Sequence, residues 1–164
     1  MDIPLIFKSA REFLDRNKGK KIREEVSSAS LFIDVDCEGL KELVRDINYV
    51  TSFFGLVRVL DDIYVYPLPA IRRVIGFTLK RSLSFKVEGP VYRSDIISYV
   101  IYGGDVLYEV NFRVVKYGVN TSSLSIIIIR YSTKLREIYP SPEELVNRIK
   151  NSLVTLTNSV TTKL

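Results

Sequence analysis

The sequence predicts an α+β fold: a curved antiparallel sheet of about seven strands wrapped around a long C-terminal helix. Three observations carry that expectation. Ser141-Pro142-Glu143-Glu144 puts a hydroxyl at an N-cap, proline at the first helical position and glutamate at the third, which satisfies orphan amide donors reciprocally. Behind it, Leu145, Ile149, Leu153, Leu156 and Val160 recur at steps of four, four, three and four, one apolar stripe on a helix running to Leu164. From Leu56 to Thr133 the chain reads as strand after strand with short turns, and no helical pattern separates them, which excludes a doubly wound parallel sheet.

Taken in order, Leu5 to Lys18 is a short amphipathic helix with Ile6, Ala10, Phe13 and Leu14 inward, stopped at Gly19. Glu12 and Asp15 on its polar side favour packing on the protein over a membrane-surface anchor. Ser28 to Asp36 alternates Ala29, Leu31, Ile33 and Val35 against Ser28, Ser30, Phe32 and Asp34 and reads as the first strand. Asp36 caps a helix whose buried side is Leu40, Leu43, Val44 and Ile47, and an aromatic stretch from Tyr49 to Phe54 leads to Gly55. Leu56–Leu60 and Ile63–Tyr66 flank a hairpin tip at Asp61-Asp62, and Pro67-Leu68-Pro69 breaks the ladder. Further strands are expected over Val74–Glu88, ended by Gly89-Pro90, then Val91–Tyr102, Val106–Tyr117 and Leu124–Thr133. Gly103-Gly104-Asp105 makes a tight turn between the second and third of these. The order divides into an N-terminal helical extension, residues 1–27, and a single globular domain, residues 28–164.

Composition narrows the chemistry. Histidine is absent and Cys37 is alone, which removes Ser-His and Cys-His catalysis, histidine-ligated zinc and any intrachain disulfide. No cofactor or metal is called for. The longest aliphatic block, Ile126 to Ile129, is too short to cross a bilayer, and the acidic, proline-containing start does not read as a secretory signal, so a cytoplasmic protein is expected. There is no Gln or Trp and only one Met, a depletion of labile side chains compatible with a thermophilic source. The net charge of +5 favours anionic partners weakly.

The order of elements resembles the START-like, or helix-grip (SRPBCC), superfamily, and is similar to a small crenarchaeal branch of it. The segments that carry the resemblance are Leu31–Asp36 running into Glu38–Asn48, the Gly103-Gly104-Asp105 turn, the long pair from Val106 to Thr133, and Ser141-Pro142-Glu143-Glu144 opening the last helix. It implies a cavity between the concave face of the sheet and the last helix. It carries over no catalytic residue, because the fold hosts carriers, receptors and cyclases alike.

The positions expected to line that cavity are Phe85, Tyr99, Tyr108, Val110, Phe112, Ile127, Ile129 and Tyr131 on the sheet, facing Ile149, Leu153 and Leu156 on the helix. Apolar walls with a few phenols suit a lipid, sterol or polyketide-like ligand, although a closed core gives the same alternation. The uncharged Asn, Ser and Thr positions from Asn151 to Thr162 fit a cavity-facing helix, a mild surface or a homo-dimer contact equally. Arg72, Arg73, Lys80, Arg81 and Lys86 gather positive charge, but on both parities of one strand, which favours a solvated edge over a nucleic-acid or anionic-membrane surface. Asp61-Asp62 reads as turn chemistry, Arg93 and Asp95 as a surface ion pair, and Cys37 among Asp34, Asp36 and Glu38 as an unreactive thiol. The function expected is a non-enzymatic carrier or sensor of a hydrophobic small molecule. The alternatives are an interaction module without a small ligand and, third, a cyclase or aromatase-type enzyme.

Overall fold

Residues 3–67, 73–74, 77–78, 82–134 and 139–162 are described by a computed structural model of the chain. Helix α1 (Lys8–Arg16) precedes β1 (Arg23–Ile33); α2 (Cys37–Arg45) and α3 (Ile47–Phe53) follow it directly. Then come β2 (Val57–Leu60), β3 (Ile63–Pro67), β4 (Arg73–Val74), β5 (Phe77–Thr78), β6 (Ser82–Arg93), β7 (Ile96–Tyr102), β8 (Val106–Lys116), β9 (Ser122–Ser132) and α4 (Pro142–Thr162). Seven strands make one antiparallel sheet in the order β1-β9-β8-β7-β6-β3-β2, while β4 and β5 pair separately. The chain therefore has the α+β architecture the sequence predicts: a seven-stranded antiparallel sheet with one long helix at the C-terminal end.

The two faces of the sheet are covered by different elements. On the concave face, Leu145, Val146, Ile149 and Leu153 of α4 join Leu40 and Val44 of α2 and Val50 and Phe53 of α3 over the sheet residues, forming the main core. Burial of that many large side chains, at about 25 cal/mol per Å², is the principal stabilising term of the fold. On the convex face, Phe7, Ala10 and Phe13 from the α1 segment pack against Val100, Tyr102, Leu107 and Tyr131. Helix α1 lacks a side-chain cap of its own, and Glu88 of β6 supplies one. Its carboxylate accepts from the Ser9 amide at 2.7 Å and the Lys8 amide at 3.1 Å, where the helix dipole favours negative charge.

Several boundaries differ from the sequence reading, each for a local reason. Strand β1 starts at Arg23 rather than Ser28, because all eleven of its residues hold register with β9. The aromatic stretch after α2 is itself a helix: Asp46 ends α2 and caps α3, its carboxylate accepting from the Asn48 amide at 2.9 Å. The strand expected over Val74–Glu88 is divided, in its described parts, into β4, β5 and the start of β6. Strand β6 then runs through Gly89-Pro90 to Arg93, absorbing the glycine and proline as a register shift, and the chain turns at Ser94 and Asp95 instead. Gly89 is required there: its φ is +125°, and a Cβ would stand 2.8 Å from the Ser98 carbonyl oxygen.

Candidate functional site

Register fixes which side chains share the concave face. Val87, Ile101, Tyr108, Arg130 and Glu25 are successive cross-strand partners and form one row across β6, β7, β8, β9 and β1. The next row along β8 brings Tyr99, Val110 and Ile128 together, and the one beyond it Ile97, Phe112 and Ile126. Beneath the start of α4, Phe54, Leu56, Phe85, Ile101, Tyr108, Tyr139 and Pro140 enclose an apolar pocket with about 10 Å³ of free volume. That is space for one water at most.

The polar groups around this pocket hold its roof. Tyr108 donates its hydroxyl to the Pro140 carbonyl at 2.8 Å, and Arg130 donates to the same carbonyl at 3.0 Å and to that of Tyr139 at 3.3 Å. The remaining terminal nitrogen of Arg130 pairs with the Glu25 carboxylate. Deeper in, the Tyr99 hydroxyl donates to the Val44 carbonyl at 2.6 Å and ties sheet to α2. Burial pushes both phenols, Tyr99 and Tyr108, above the ordinary tyrosine range, so each stays a protonated donor. Helix α4 is fastened in turn by Arg148, which donates to the Phe53 carbonyl at 2.7 Å.

Of the expected lining residues, Phe85, Tyr99, Tyr108, Val110, Phe112, Ile149 and Leu153 do share the concave core. Ile127, Ile129 and Tyr131 do not. They belong to the convex face, where Ile127 is 42% exposed and Tyr131 lies under α1. Cross-strand partners point the same way, so Tyr108, Val110 and Phe112 bring Arg130, Ile128 and Ile126 inward and leave the odd-numbered residues of β9 outside. Four consecutive isoleucines conceal that parity in the sequence. The Leu156 side chain falls outside the described residues.

No protein-family model matches the sequence, and no curated protein shows a significant sequence match to it. Solved structures do share the architecture. A protein from Deinococcus radiodurans aligns over 82% of this chain and 99% of its own, with 15% identity and a TM-score of 0.53. A point mutant of norcoclaurine synthase from Thalictrum flavum, in complex with a transition-state analogue, aligns over 86% of this chain and 98% of its own at 11% identity and a TM-score of 0.52. A START superfamily protein from Mycobacterium smegmatis covers 80% of this chain and 99% of its own at 15% identity, with a TM-score of 0.45. The fold is the helix grip. At these identities the likeness is one of fold alone.

Within this helix-grip frame the other sequence candidates fall into place. Lys86 is exposed and pairs with Glu12 of α1 at 3.3 Å; Arg72, Lys80, Arg81 and the Arg73 side chain lie outside the described residues. Arg93 and Asp95 do not pair with each other. Asp95 accepts from Arg113 at 2.6 Å, which lowers its pKa, and Arg93 reaches Glu109 at 3.5 Å. Asp61, at φ 35°, forms the β2–β3 turn with Asp62, and Cys37 opens α2. Among the described residues no group of three or more His, Cys, Asp and Glu could hold a metal ion.

The sequence reading passed over Glu109. This carboxyl is buried on the convex face, where one oxygen accepts from Asn111 at 3.2 Å and meets Arg93 at 3.5 Å, with the Tyr131 phenol close by. Burial raises its pKa, and those partners pull partly the other way. A lone glutamate between hydrophobic neighbours, Val106-Leu107-Tyr108-Glu109-Val110, was the available signal.

Proposed function

We propose that this helix-grip chain is a non-enzymatic binding protein for a small hydrophobic molecule, held where Phe54, Leu56, Phe85, Ile101, Tyr108, Tyr139 and Pro140 converge. The observation that supports the reading is the way the roof is held. Tyr139 and Pro140 close an apolar pocket, and three side-chain bonds from Tyr108 and Arg130 to their carbonyls hold them in place. Ligand sites usually offer about 300–1,000 Å³, so a lipid, sterol or polyketide-like guest enters only as the roof moves. When it does, the Tyr108 hydroxyl and the Arg130 guanidinium become the orienting polar groups in an otherwise apolar wall. A cytoplasmic setting and affinity with the crenarchaeal branch belong to the same reading.

The small free volume favours a second reading, an interaction module with a closed core and no small ligand. Native mass spectrometry of freshly purified protein, followed by solvent extraction and titration with an apolar fluorescent fatty-acid analogue, separates the two. A co-purifying apolar molecule, or saturable uptake of the analogue that weakens in Phe85→Arg, supports the carrier. Protein of bare-chain mass that takes up none of the analogue overturns it.

A further inference from the structure

Strand β1 is an edge of the sheet: β9 pairs with one side, and among the described residues no strand pairs with the other. It is long and regular, eleven residues in unbroken register with β9. It contains no proline, and from Val26 to Ile33 it carries no charge. Exposed edges in natural sheets are usually blunted by charge, proline, a bulge or brevity, because unpaired backbone groups recruit another strand. Over those eight positions β1 has none of these devices. Its convex side also carries two exposed apolar side chains: Val26 is 57% exposed and Phe32 70% exposed. Phe32 packs at 4.8 Å on the ring of Tyr117, itself 71% exposed.

The pattern along the convex side of the strand is symmetric about Ala29. Ser28 and Ser30 flank it, and Val26 and Phe32 stand three positions away on either side. We propose that this edge is occupied by a second copy of the chain, with β1 pairing antiparallel to β1 about a two-fold axis at Ala29 and joining the two sheets into one. In that register Val26 of each copy lies opposite Phe32 of the other, an aromatic against a β-branched side chain, and Ser28 lies opposite Ser30.

Neighbouring registers are worse. Facing residues must share a sheet face, so the axis falls on a residue. An axis at Ser28 sets Glu24 opposite Phe32, and one at Ser30 leaves Val26 opposite Asp34, past the end of β1; the Ala29 register keeps Val26 on Phe32 and faces Glu24 with Asp34 only beyond the strand end. Phe32 is 70% exposed, so pairing with Val26 of the other copy takes much of its ring out of water.

Sedimentation velocity across micromolar concentrations tests the assignment. The wild-type chain is expected at twice its 18.8 kDa mass. Val26→Lys/Phe32→Lys, which changes only exposed side chains, is expected to keep its circular dichroism while its dissociation constant rises about tenfold or more, because each copy sets like charges opposite one another. In a Cys37→Ser background, Ala29→Cys is expected to form a disulfide-linked dimer on mild oxidation, which reports the register without perturbing the exposed face. A monomeric wild-type chain overturns the proposal, as does a dimer that the double lysine variant leaves intact.

Discussion

Arg130 on β9 stands directly opposite Glu25 on β1, and the two pair on the concave side of the sheet where the chain enters α4. The same guanidinium holds the carbonyls of Tyr139 and Pro140, so one side chain joins the edge strand, its neighbour β9 and the roof of the pocket. The cost of burying an arginine is offset here because three acceptors surround it.

Arg130→Met keeps the apolar stem and removes every donor. Loss of one partner from a fully buried pair costs about 3–5 kcal/mol. Glu25 retains 27% exposure and its carboxylate can rehydrate, so about 2–3 kcal/mol is expected, read as a lower urea midpoint at unchanged slope. If the carrier reading holds, the variant also takes up the apolar fatty-acid analogue faster than the wild type, because the roof has lost two of its three bonds.

Tyr108→Phe removes the third bond. Its hydroxyl donates from a buried site to the Pro140 carbonyl, and the expected loss is about 1 kcal/mol. The wild type also makes a prediction with pH. Tyr99 and Tyr108 have folded-state pKa values raised above the ordinary 10.0, so the folded chain holds these protons more tightly than the unfolded one. Their contribution is fully present below pH 10.0 and declines as pH climbs beyond it. Spectrophotometric titration is therefore expected to show phenols that ionise only as the chain unfolds, Tyr99 and Tyr108 among them, and one fewer in Tyr108→Phe.

Glu88 caps α1 from a strand 80 residues away. Glu88→Ala leaves the Lys8 and Ser9 amides without their acceptor, at a cost of about 1–2 kcal/mol. Only α1 depends directly on this contact. Hydrogen exchange is expected to quicken over Ala10–Phe13 while the β8–β9 ladder keeps its protection.

The sequence made the frame readable because each long element carried its own signal. Ser141-Pro142 marks the start of α4, Asp36 the start of α2, and the paired glycines 103 and 104 the β7–β8 turn. The Gly103 position is doubly constrained, since a Cβ there would lie 2.4 Å from the Phe85 ring. What stayed hidden depended on long-range pairing. Gly89-Pro90 reads locally as a strand end, yet β6 continues because β7 pairs beyond it. The inward parity of Ile126–Ile129 was settled by β8, not by anything within those four residues. Arg130 and Glu109 are buried charges whose ion-pair partners, Glu25 and Arg93, lie on other strands, so neither pair could be recognised from its own neighbourhood.

Glu109 yields the last prediction. Its carboxyl is buried between Arg93, Asn111 and Tyr131, and burial dominates, so its folded-state pKa stands above the ordinary 4.5. A raised carboxyl pKa means that the folded state binds the proton more tightly than the unfolded state. Stability from this group is greatest below 4.5, falls as pH rises through the folded-state value, and is level above it. Glu109→Gln keeps the shape and an acceptor for Arg93 but has no ionisation to penalise. Urea midpoints measured from acid to neutral pH are expected to move in favour of the glutamine variant as pH rises, and the difference is expected to become constant once Glu109 is ionised. A difference that moves the other way would show that Arg93, despite being half exposed, outweighs burial and holds the carboxylate charged in the folded chain.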